Sequence, residues 1–192
     1  WMRQDGGADC VTRSSTAVAT PGACDGDGDG IIEFGPDPSR PSEGFQAWRQ
    51  LALAGMIEGS FTGLAGTTYT WWGGNCAACD YDFGTNSPIA KLKTAGWGFA
   101  YIDNTPGTFP TIYPINYNEW LIVGADVSWQ PHGGVFTTSE AWGIDSKIDD
   151  GLPGSGMAHS IPACSVANNN SNFTSPYKLT DTSTLCPLII KR

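Results

Sequence analysis

The stretch Cys24–Gly35, CDGDGDGIIEFG, groups side chains that could ligate a metal: Asp25, Asp27 and Asp29 alternate with glycines, and Glu33 follows an isoleucine pair. Alternating carboxylates can converge on one hard cation while the glycine after the third acid, Gly30, allows the chain to turn sharply. Counted from Asp25 as a twelve-residue calcium loop, Glu33 falls at position 9, but position 12 is Pro36 rather than the closing glutamate. This is therefore an incomplete EF-hand, and its last ligand must come from Asp37 or a backbone carbonyl. The plain alternative is an Asp/Gly-rich turn with no ion. Three acids packed so closely repel one another without a cation, which favours the metal. The expectation is one structural Ca2+ held by Asp25, Asp27, Asp29 and Glu33.

The six cysteines, an even number, fit an oxidising compartment. Their spacing suggests three disulfides: Cys10–Cys24, Cys76–Cys79 and Cys164–Cys186. The pair in CAAC (Cys76–Cys79) could also be a redox couple or half a zinc site. A c-type haem would need a histidine after the second cysteine, where Asp80 stands. Zinc would need further ligands, and the only histidines, His132 and His159, lie in unremarkable contexts. The Gly-rich flanks do not suit a thioredoxin-like βαβ setting either. A structural staple is the simplest reading.

Other candidates are weaker. The eight tryptophans, with TWWGG at Thr70–Gly74, could build a sugar platform, but aromatics at this frequency are more often core material. Two Asn-x-Ser/Thr sequons, at Asn169 and Asn172, sit in NNNSNFTS, which reads as an exposed loop. Asp149–Asp150 could serve a glycosidase on paper, yet adjacent acids before GLPG are more simply the turn after a helix. The chain has no nucleophile elbow, phosphate loop, dinucleotide fingerprint or HExxH, so no enzyme is expected.

The elements that must position these residues can be read from pattern. A chain of 192 residues, 40% hydrophobic and 11% aromatic, suits a single domain, 1–192, with a real core. Low charge (15%) with 25 Gly and 13 Pro points to a loop-rich globule containing β-structure. The net charge of −9 argues against nucleic acid, because phosphate contacts need Lys and Arg. No apolar run is long enough to cross a bilayer, and no signal peptide is visible.

Residues 1–41 read as irregular. Phe45, Trp48, Ala52 and Met56 then recur at spacings of 3, 4 and 4, one face of a helix over 42–58 that Ser42 caps and Gly59 ends. WGFAYI (97–102), TIYPINY (111–117) and EWLIVGA (119–125) read as strands, the first and last apolar enough to be buried on both faces. Thr137 and Glu140 form a capping box for a second helix, with Ala141, Ile144 and Ile148 as its buried stripe. CPLIIKR (186–192) reads as a closing strand. The class is α+β.

Three stretches, taken in order, resemble one family: CDGDGDGIIEFG, the helix EGFQAWRQLALAGMIEGSFTG (43–63), and AWGIDSKIDDGLPGSG (141–156). They look like the ectodomain of bacterial type IV pilin and pseudopilin-like proteins with a prepilin-type cleavage segment. The family shows a GDGxGxI turn, a similar helix, an I-D-x-K-I-D-D-G-x-P-x-x-G signature and a late cysteine pair. The last motif is quite specific, whereas residues 64–136 resemble it only weakly.

The resemblance implies a pilin-like globular head, with an antiparallel sheet, short helices and long disulfide-stapled loops. It implies an extracellular, cell-surface filament subunit of a pilus or pseudopilus, with copies of itself as partners. The family's hydrophobic N-terminal helix does not occur in these residues. It is expected to precede them in the same precursor, which it would anchor in the membrane, or to come from a separate small chain, and to dock in an open apolar groove on the sheet. The alternatives are a minor tip pilin or adhesin, using TWWGGNCAACDYDFG, and a secreted calcium-stabilised carbohydrate-binding module.

Overall fold

The computed structural model describes Ile32 and residues 43–63, 69–71, 74–76, 81–92, 94–103, 112–114, 116–127 and 130–191. Helix α1, Glu43–Leu53, buries Phe45 and Trp48. It stops short of the expected boundary at Glu58, because Gly55 intervenes. Gly55 takes φ 68°, a left-handed conformation that costs glycine no Cβ clash. Its N–H donates to the Ala52 carbonyl and the Met56 N–H to the Leu51 carbonyl, both at 2.9 Å. That pair of bonds is a Schellman ending, which closes the helix. Met56, expected on the buried stripe, is left 68% exposed.

The main sheet is built on β4 (Asn116–Val127), flanked by β3 (Gly96–Asp103) and by β9 (Leu188–Lys191). Strand β7 (Ala158–His159) lies outside β9, and β5 (Gln130–Gly133) folds back on the end of β4. Every pairing in this sheet is antiparallel. Two small ribbons accompany it: β1 (Tyr69–Trp71) with β2 (Gly74–Cys76), and β6 (Phe136–Thr137) with β8 (Thr184–Cys186). The chain is thus α+β, with two helices and antiparallel sheets among the described residues.

The predicted strand at 111–117 is not found as such: Ile112–Pro114 is irregular, and β4 begins at Asn116. The closing segment is split by the buried Pro187, which has no N–H to offer a ladder. Its second half, β9, is an interior strand of the sheet.

Register explains the apolar run Trp120–Val123 in the middle of β4. Ile122 pairs with Ile189 and Val123 with Leu188, so the two pairs point to opposite faces. All four are buried, as is Trp120. Among the described residues, the expected open apolar groove is therefore not found at the centre of this sheet. On the Leu121 face, α1 packs through Trp48, which stacks on Phe99 with centroids 4.3 Å apart. Farther along the same face, Val123, Leu188, Val135, Phe136 and Ala141 form a second cluster around Cys164 and Cys186. No described helix is long and apolar enough to cross a membrane.

Candidate metal centre at the end of the second helix

Helix α2, Thr138–Ile148, starts where the sequence places it. Glu140 N donates to Thr137 Oγ1 at 3.2 Å and Thr137 N to Glu140 Oε2 at 2.9 Å, a complete capping box. Its buried positions are Thr138, Ala141 and Asp145; Ile148, expected in the core, is 47% exposed. An aspartate thus takes the place on the inner face that the pattern suggests for an isoleucine.

Asp145 is fully buried and held from two sides. Its Oδ2 accepts from the Tyr177 hydroxyl at 3.0 Å, and its Oδ1 accepts from the Gly151 N–H at 3.1 Å. Burial pushes its pKa up to about 6, and the Asp150 and Asp149 charges push the same way, against the lowering effect of those two hydrogen bonds. Tyr177 is in turn raised, by its own burial first and then by the Asp145 charge.

Asp149 is the C-cap of α2, its N–H bonded to the Asp145 carbonyl. Its Oδ2 accepts from the N–H groups of Met157 and Ala158, tying the helix end to the start of β7. Asp150 staples the loop between them: Oδ1 accepts from Leu152 N at 2.9 Å and Oδ2 from Ser155 Oγ at 2.7 Å. Gly156 allows the closure. It takes φ 85°, and a Cβ there would overlap the Asp149 carboxylate.

One carboxylate oxygen from each of Asp145, Asp149 and Asp150 lies within 4.8 Å of the others. They come from a buried, a half-buried and an exposed residue, so the cluster opens to solvent on one side. The negative pole of α2 points at the same place and sharpens the repulsion. Among the described residues, no basic side chain pairs with any of the three. The cluster can hold a metal ion, and an all-oxygen donor set selects a hard one.

In the sequence, Asp149–Asp150 read as an acid pair or, more simply, as the turn after a helix, which they are. Asp145 escapes that reading, although acids at i, i+4 and i+5 at a helix end are visible in IDSKIDD. Nothing in the pattern shows that Tyr177 and Gly151 bury the first of them. Asp25, Asp27, Asp29 and Glu33 lie outside the described residues, as do Cys10, Cys24 and Cys79. Cys76 closes β2, and its side chain is likewise outside. The Cys164–Cys186 disulfide is present, with Cα atoms 5.8 Å apart.

Among the described residues, His159 joins no ligand set. Its Nε2 lies 3.0 Å from the Gly156 carbonyl and its ring meets Trp120 edge-on at 4.7 Å. Burial lowers its pKa. No family model matches the chain, and neither a curated protein nor a solved structure is significantly similar to it.

Proposed function

We propose that the chain is the globular head of a structural subunit of an extracellular type IV pilus-like filament or pseudopilus, with no catalysis of its own. The observation that carries this reading is the use made of the IDSKIDDGLPGSG motif. Its acids build a carboxylate cluster that fastens the end of α2 to the main sheet. A disulfide across 22 residues closes the segment that follows. A helix on an antiparallel sheet with a late cysteine pair also agrees with the resemblance.

The ion we propose at Asp145, Asp149 and Asp150 is Ca2+, with backbone carbonyls or water completing its shell. Extracellular calcium sites work at dissociation constants of about 10⁻⁴–10⁻³ M, so a three-carboxylate site open on one side would be filled outside the cell. A metal bound only by the folded state stabilises it by mass action. A separate ion at Asp25, Asp27, Asp29 and Glu33 remains part of the same proposal. The helix that anchors the subunit would come from the same precursor or a separate small chain, and the partners would be further copies of the chain.

Deleting the gene in the source cells is expected to remove the filaments and complementation to restore them. Filaments of unchanged number and composition in the deletion strain would refute the assignment. In the purified protein, Ca2+ should raise the melting temperature and a chelator reverse the rise. Asp149→Asn with Asp150→Asn should abolish the part of that response due to this cluster. An unchanged response in the double variant would remove the ion from this site.

A further inference from the structure

Within the disulfide-closed segment, residues 164–178 form a hairpin. Lys178 N donates to the Cys164 carbonyl and Val166 N to the Pro176 carbonyl, both at 2.9 Å, with Ser165 and Tyr177 bridged between them. Ala167 N donates to Ser175 Oγ at 2.9 Å and closes the base. Beyond this base lies a seven-residue tip, 168–174, with the sequence NNNSNFT. It holds both sequons and contributes nothing to the carboxylate cluster.

The two sequons differ in local structure. Asn169 Oδ1 accepts from the backbone N–H of Ser171 at 2.8 Å, a local turn that folds the chain on itself. Asn172 Oδ1 instead accepts from the Thr174 hydroxyl at 3.3 Å, so the amide and hydroxyl of Asn-Phe-Thr already face one another. Both asparagines are exposed. Phe173, between Asn172 and Thr174, is anchored inward, its ring 5.6 Å from that of Tyr113. The anchor holds the Asn172 and Thr174 side chains together in solvent, at a tip that a second protein can reach.

We propose that Asn172 is the acceptor for an asparagine-linked oligosaccharide. The donor is a lipid-linked sugar (pyro)phosphate, used by a membrane glycosyltransferase. Asn172 Nδ2 forms a bond to the sugar C1, and the C1–O bond to phosphate breaks. The lipid (pyro)phosphate leaves with the electron pair, and one amide proton passes to a base of the transferase. The Thr174 hydroxyl is the recognition group. The proposal rests on the extracellular reading above, because such donors are used on exported chains.

The test is peptide mass mapping of the full chain purified from its source cells, from both sheared filaments and the soluble fraction. The peptide spanning Asn172 is expected to carry a sugar mass. Asn172→Gln and Thr174→Ala should abolish it, Thr174→Ser should retain it, and Asn169→Gln should leave it unchanged. An unmodified Asn172 peptide, or a sugar on Asn169 alone, overturns the proposal. Modified chain found only in the soluble fraction would instead count against the filament reading, which keeps the two failures distinct.

Discussion

Asp145 is buried without a basic partner among the described residues, and that placement has a measurable sign. Its pKa rises from 3.8 to about 6 in the fold, so the folded state holds its proton more tightly than the unfolded one. The stabilisation is fully present below about pH 4 and is lost as pH climbs through about 6. In chelator, the melting temperature of the protein relative to Asp145→Asn should therefore decline between about pH 4.5 and about pH 7. Subtracting the variant also cancels His159, which titrates with the opposite sign and is carried by both proteins. A difference that stays flat across this range would mean that Asp145 is not held as described. Gly156→Ala meets both a positive φ and the Asp149 carboxylate, and is expected to cost about 1–3 kcal/mol by denaturant titration. At this scale the spacing of the acids is legible in the sequence, but the burial of Asp145 is not. It depends on Tyr177, which is 32 residues away in sequence.

Local signals place one helix boundary and misplace another. The start of α2 is readable because a capping box is complete within four residues. Thr137→Ala should cost about 0.5–2 kcal/mol, measurable as a shift in midpoint without a change in slope. The end of α1 is ambiguous in sequence because two glycines compete, and only the 6→1 bond from Met56 to Leu51 identifies Gly55 as the terminator. Strands 97–102 and 119–125 are legible as apolar runs. The segment at 111–117 looks equally β-like by composition, yet Ile112–Pro114 forms no strand. That β9 lies beside β4 cannot be read at all, because register between segments far apart in the chain leaves no local trace. The disulfide bounding 164–186 should contribute about 3 kcal/mol by loop closure. Cys164→Ser with Cys186→Ser is expected to lose about that much in denaturant, and a loss under about 1 kcal/mol would show that the hairpin is held by its hydrogen bonds instead.

For the whole molecule, the main sheet is covered at its centre on both faces, with Ile122 and Ile189 each 1% exposed on one and Val123 and Leu188 4% and 2% exposed on the other. A packing helix in a filament would then meet another part of the head, or displace what covers this face. Helical periodicity, the capping box and the apolar runs make the α+β class legible, and composition the loop-rich architecture; the arrangement of the sheet comes only with pairing. The proposed filament role rests on motif resemblance joined to the carboxylate cluster and the disulfide-closed segment. The most direct measurement is the distribution of the chain between filaments sheared from its source cells and the culture medium. The filament reading predicts that the disulfide-bonded chain copurifies with the sheared filaments. Filaments free of the chain, with all of it in the medium as a monodisperse monomer, would contradict that reading.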